Sequence, residues 1–143
     1  MYLHKITPYF NGSGKNLVFP EGIKGGRVTQ VKEEFGYWRK ANAIHNWFVI
    51  NVQNGTDDCG EYLVTKEDLE NLLVIVDSVL ANNELAMLFL PPKEGFFFGS
   101  VDLDDYYFDD LRSTQQIVTE ALKSYPEEDG GIFKPYFVYR ASW

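Results

Sequence analysis

Apolar residues recur at helical spacing in three stretches of this chain. The first predicts a helix that begins near Arg39 or Lys40 and ends at Asn54-Gly55. Its buried stripe follows the i, i+3, i+4 and i+8 positions at Ile44, Trp47, Phe48 and Val52. The second stretch follows Thr65, a predicted N-cap with Asp68 three residues on, and it stops at residues 82–83. The third predicts a helix from about residue 104 to about residue 124.

Extended segments are predicted between these helices, at residues 1–10, 28–38, 62–64, 96–98 and 132–139. Residues 11–27 are rich in glycine and carry a proline, which is loop composition. A chain of 143 residues fits one domain, so residues 1–143 are expected to form a single unit. The mixed order of elements predicts an α+β fold, an antiparallel or mixed sheet with about three helices.

Charge and composition narrow the classes of function. The net charge of -8 argues against a general nucleic-acid binder, which needs a broad basic surface. It permits a small anionic ligand, because the local charge decides what a pocket binds. Cys59 is the single cysteine, so no internal disulfide is possible and a reducing cytoplasm is favoured. No stretch approaches eighteen apolar residues, so no contact with a membrane is predicted.

The richest candidate site is the junction between the second strand and the first helix. There Trp38 precedes two cations, Arg39 and Lys40, and amide and imidazole side chains follow. An aromatic ring can stack on a base, a cation can hold a phosphate, and a helix N-terminus adds N–H donors. This pattern predicts a pocket for a nucleotide-like anion. The predicted ligand-binding residues are Trp38, Arg39, Lys40, Asn42, His45, Trp47, Phe97 and Arg140.

The same residues have structural explanations that the sequence leaves open. Trp47 and Phe48 fit a hydrophobic core, and Arg39 fits an ion pair. His45 shares a helix face with apolar residues, where a histidine is more often a hydrogen-bonded structural group than a catalyst.

Two acidic motifs also permit a site but fit ordinary structure. Residues 57–60, Asp-Asp-Cys-Gly, are typical of a turn, and acidic neighbours disfavour a cysteine thiolate. Five carboxylates in residues 102–110 fit the first turn of a helix and lack the spacing of an EF-hand. The motifs of nucleotide hydrolases, dinucleotide-binding domains and zinc enzymes are absent. The chain is therefore predicted not to be an enzyme, with no catalytic residue, metal or cofactor.

Several short segments in fixed order resemble a group of small bacteriophage proteins. They are GYWRKANAIH at 36–45, DDCG at 57–60, LP at 90–91, GFFFGS at 95–100 and SW at 142–143, so the resemblance covers about residues 28–143. Small phage proteins of this kind include inhibitors of bacterial immunity. Some are sponges, proteins that sequester nucleotide signals such as the cyclic ADP-ribose variants of Thoeris or the cyclic oligonucleotides of CBASS. The resemblance implies an anti-defence role in the cytoplasm of an infected bacterial host.

The leading hypothesis is a homo-oligomer that binds and sequesters a nucleotide-derived immune signal. The aromatic content of 16% and the terminal Trp143 favour an oligomer, because exposed aromatic rings suit an interface. One alternative is an enzyme that degrades such a signal, with His45 as acid/base or a metal held by Asp102, Asp104 and Asp105. Another is a protein-binding inhibitor that uses an aromatic surface and an acidic face.

Overall fold

The computed structural model describes residues 1–9, 18–95, 101–126 and 134–142. In this part of the chain the strands are β1 (Tyr2–Pro8), β2 (Gln30–Tyr37), β3 (Glu61–Val64) and β4 (Tyr136–Arg140). The α-helices are α1 (Asn42–Asn51), α2 (Lys66–Ala81), α3 (Ala86–Phe89) and α4 (Asp105–Lys123). Single 3₁₀ turns lie at Gly25–Arg27 and Asn83–Leu85. The predicted strand at 96–98 lies outside the described residues.

The strands form one antiparallel sheet with the order β2-β1-β4-β3. The first and last strands are therefore its two central strands, with Tyr2 opposite Arg140 and Leu3 opposite Tyr139. The outer strands also pair in the antiparallel direction, β2 with β1 and β3 with β4. The α+β prediction is confirmed, and of its two versions of the sheet the antiparallel one is found.

Helix α1 begins at Asn42, two or three residues after the predicted start near Arg39 or Lys40. Lys40 has a φ of 62°, in the left-handed region, so the chain turns there before Ala41 takes the N-cap position. At the other end, Asn54 and Gly55 also have positive φ, and the Gly55 N–H donates to the Val49 carbonyl at 2.7 Å. The predicted stop of this helix at Asn54-Gly55 therefore matches the observed turn.

Helix α2 starts at its predicted cap, and α4 starts near the predicted residue 104. The Asp68 N–H donates to Thr65 Oγ1 at 3.1 Å, and the Thr65 N–H donates to Asp68 Oδ2 at 2.8 Å, which completes the capping box of α2. Asp104 caps α4 by accepting the Tyr107 N–H at 3.0 Å. Among the described helices, none combines the length and the apolar character that crossing a bilayer requires.

The apolar run at residues 85–90 contains a fourth helix beyond the three that the sequence indicated. Ala86 and Leu90 are buried four residues apart, the spacing of one helical face, and they enclose the single turn of α3. A run this short carries no readable periodicity, so its helical form depends on the packing of those two residues.

The core lies between the sheet and the helices. Tyr139 of β4 stacks on Phe48 of α1, with ring centroids 4.0 Å apart and planes 7° apart. Both side chains are fully buried. Parallel stacking at this distance fixes α1 against the centre of the sheet.

Gly36 of β2 allows α4 to pack closely on the sheet. A Cβ atom at this position would lie 2.4 Å from Ile117 Cγ2, closer than packed carbon atoms approach. We therefore expect Gly36→Ala to lower the free energy of unfolding by about 1–3 kcal/mol. In an Ile117→Ala background the same change should cost much less, because the obstructing methyl groups are gone. Urea unfolding of the four proteins in this double-mutant cycle measures both costs, and equal costs in the two backgrounds would contradict the close packing.

Candidate functional site

A cleft of about 340 Å³ lies between the start of α1 and the first half of α4. One side is built from residues 39–44. The other side is built from residues of the segment before α4 and from its first turns, including Asp102, Asp104, Tyr106, Asp109 and Asp110. The volume lies within the range of small-molecule sites.

The α1 side of the cleft carries positive potential. Arg39 and Lys40 are exposed, and neither forms an ion pair with any residue in the described ranges. Ala41 at the N-cap has no side-chain acceptor, so it cannot cap the N–H groups of the first helical turn. Two exposed cations and the positive end of a helix dipole therefore face the same space.

The α4 side carries carboxylates, which the sequence did not link to the cations. Asp104 is the α4 cap, and Asp109 forms an exposed ion pair with Arg112 at 2.6 Å. Burial raises the pKa of Asp110 to about 6, and the nearby Asp104 and Asp109 carboxylates add to the increase. The cleft is therefore bipolar, with cations at one wall and carboxylates at the other.

The two tryptophans of the predicted site do not line the cleft. Trp38 is 2% exposed, and its indole N–H donates to Thr114 Oγ1 at 2.8 Å in the core. Trp47 is buried with its ring edge-on to Phe48. Both rings are therefore buried, as the core alternative predicts for Trp47, which borders a different pocket beside Asn51 and Glu67.

His45 is also buried away from the cleft. Its Nδ1 lies 2.7 Å from the Tyr139 hydroxyl, and its Nε2 lies 3.0 Å from Asp57 Oδ1. A neutral imidazole satisfies both contacts when Tyr139 donates to Nδ1 and the Nε2–H donates to Asp57. Burial lowers the pKa of His45, against the opposing effect of Asp57. With both nitrogens engaged, this histidine joins α1 to β4 and to the loop at Asp57.

The Arg140 side chain lies on the face of the sheet that is turned away from the helices. It follows the buried Tyr139 in β4, and side chains alternate between the faces of a strand. There it stands opposite Tyr2 on one side and Glu61 on the other. Phe97 lies outside the described residues. Of the eight predicted ligand-binding residues, the structure places Arg39, Lys40 and Asn42 at the cleft.

The acidic motifs have different places. Residues 57–60 form a turn in which Asp58 accepts the Gly60 N–H at 2.7 Å, as their composition predicted. Asp102 and Asp104 line the cleft, whereas Asp105 is not among its lining residues. In the described ranges, no three His, Cys, Asp or Glu side chains are grouped closely enough to hold one metal ion.

The comparisons with known proteins found no relative of this chain. No family model, no curated protein and no solved structure matches it. What the cleft binds must therefore be inferred from the charges, the hydrogen-bonding groups and the ring that line it.

Proposed function

We propose that this protein binds a small, nucleotide-derived anion in the cleft between α1 and α4. The observation that carries the proposal is the bipolar lining of one cleft of about 340 Å³. One wall has two cations that form no ion pair within the described ranges and a helix start whose N-cap, Ala41, has no side-chain acceptor, and carboxylates form the other wall. A ligand that combines phosphates with many hydrogen-bond donors complements both walls.

The phosphates belong at the α1 wall. Arg39 can form a two-pronged hydrogen bond with a phosphate, and Lys40 adds a point charge beside it. The N–H groups of Ala43 and Ile44 lie in the first turn of α1, where backbone donors face an anion. In a protein with a net charge of -8, this local concentration of donors is the place that suits a phosphate.

The sugar and base belong at the α4 wall. Ionised carboxylates are acceptors only, so Asp102 and Asp104 suit ribose hydroxyls and exocyclic amino groups. Tyr106 is 81% exposed and lines the same cleft, so its ring can stack on a base. Tyr106 thereby takes the stacking role that the sequence suggested for Trp38.

The biological part of the proposal is sequestration. The resemblance to small phage proteins suggests that the ligand is an immune signal, held by the protein in the cytoplasm of an infected bacterium. The competing function is degradation of the same ligand, favoured by Asp110, whose pKa of about 6 suits a general acid or base. The predicted homo-oligomer stays a prediction, since Trp143 lies outside the described residues.

The cations provide the first test. Arg39→Ala and Lys40→Asn should each weaken the binding of cyclic ADP-ribose or a cyclic dinucleotide, whichever the parent binds. We expect a loss of roughly tenfold to a hundredfold, because a charged hydrogen bond contributes about 1.5–3 kcal/mol. Asparagine is chosen at position 40 because it tolerates the left-handed backbone found there. Calorimetry measures the affinities.

Lys123→Ala is the matched control for these two variants. It removes an exposed cation from the last turn of α4, outside the cleft, and should bind the ligand as the parent does. Ligand released by denaturing the complex should be intact, whereas a product would favour the degrading enzyme. If all three variants bind equally well, the phosphates are held elsewhere.

The half-buried Asp110 provides a second test. Its pKa of about 6 lies above the ordinary 3.8, so the protonated form stabilises the fold at low pH, and this contribution is lost as the pH rises through 6. A bound phosphate also favours the protonated form. The affinity for a cyclic dinucleotide, whose phosphodiesters do not titrate here, should therefore rise as the pH falls from 7 to 5.

Asp110→Asn isolates this effect. The variant should bind at pH 7 about as tightly as the parent binds at pH 5, and its affinity should not change between these values. Its thermal stability at pH 7 should equal or exceed that of the parent, because no buried charge forms. A parent affinity that does not change with pH would contradict the binding of a phosphate in the cleft that Asp110 lines.

A further inference from the structure

Exposed apolar side chains are concentrated in two short segments, residues 87–89 and 101–106, which the hydrogen bond from Tyr107 to Leu90 connects. Half of the large apolar residues that are exposed in the described part of the chain lie in these two segments. We call this region the α3–α4 surface, and its members are Met87, Leu88, Phe89, Val101, Leu103 and Tyr106. Leu88 is 71% exposed. Concentrations of this kind mark interaction sites more often than scattered apolar residues do.

The backbone beneath the α3–α4 surface is fixed. The Tyr107 hydroxyl donates to the Leu90 carbonyl at 2.8 Å, in a buried contact that ties the end of α3 to the first turn of α4. Ala86 and Leu90 point into the core, so the residues between them face outward. The backbone that carries these exposed side chains is therefore held in place by the fold, which lowers the cost of ordering it on binding.

The charged residues within the two segments that carry this surface are almost all acidic, and the cations Arg39 and Lys40 lie across the cleft from Tyr106. In residues 83–95 and 101–106 the acids are Glu84, Glu94, Asp102, Asp104 and Asp105, and Lys93 is the single cation. An apolar centre with an acidic rim complements a segment that has an apolar face and basic flanks. A second copy of this chain would bring its own net charge of -8 to the same rim, which disfavours self-association here.

We infer that the α3–α4 surface docks a basic, amphipathic helical segment of another protein. Leu88 and Phe89 bind the apolar face of that segment, and Met87 adapts to its shape. The acids of the rim pair with its lysines or arginines. The residues that belong both to this surface or its rim and to the cleft are Tyr106, Asp102 and Asp104. The three exposed residues of α3 do not line the cleft. The docking activity can therefore be tested at α3 without altering the proposed ligand site.

The test uses a synthetic helical peptide of eighteen leucine and lysine residues, with the leucines on one face, as the probe. Its affinity for the protein is measured by fluorescence anisotropy. Leu88→Asp should weaken binding by about tenfold or more, although its added negative charge would by itself strengthen the attraction. Val74→Asp makes the same change at a position of α2 that is 64% exposed, and it should bind at least as well as the parent.

The controls separate docking from simple charge attraction. A peptide of the same composition with its leucines spread around the helix should bind at least about tenfold more weakly. Equal binding of the two peptides, or equal binding by the Leu88→Asp and Val74→Asp variants, would overturn the proposal. It would also be overturned if sedimentation showed a dimer of the parent that Leu88→Asp dissociates, because a second copy would then cover the surface. Met87→Asp replaces Leu88→Asp if circular dichroism shows that the latter does not fold.

Discussion

The pairing of β1 with β4 is the constraint on which the rest of the structure depends. It places strands from the two ends of the chain side by side at the centre of the sheet, so the sheet is complete only when β4 joins. Tyr139 of β4 then stacks on Phe48 and shares a hydrogen bond with His45. These two contacts fix α1, and the position of α1 sets where Arg39 and Lys40 face the cleft.

The cleft combines charges whose arrangement does not serve folding alone. The ionised form of Asp110 is unfavourable at neutral pH, because the side chain is half-buried and lies near two other carboxylates. Both effects raise its pKa. Arg39 and Lys40 are near enough to line the same cleft yet form no ion pair with the described residues. A carboxylate with a raised pKa beside cations that have no ion-pair partner in the described ranges is typical of a ligand-binding site. This arrangement of Asp110, Arg39 and Lys40 in one cleft supports the proposed binding function more than any sequence motif does.

Local signals in the sequence predicted the elements better than the site. The capping box at Thr65 and the stop at Asn54-Gly55 depend on neighbouring residues, so they could be read directly. The cleft brings residues 39–44 next to residues 102–113. The spacing of apolar residues along the sequence cannot predict contacts between segments so far apart in the chain. The sequence suggests Trp38 as a ligand contact because it adjoins two cations. Its actual partner, Thr114, lies 76 positions away, and a buried indole needs such a partner.

The most direct measurement of the central claim is an NMR titration of the isotope-labelled protein with cyclic ADP-ribose and with a cyclic dinucleotide. If the cleft binds a nucleotide-derived anion, the backbone amide signals of Ala43 and Ile44 should shift together with that of Tyr106, and the shifts should saturate. These residues belong to opposite walls, so a joint response locates one ligand between them. Shifts confined to the sheet face around Arg140, or no shift with either compound, would contradict the claim.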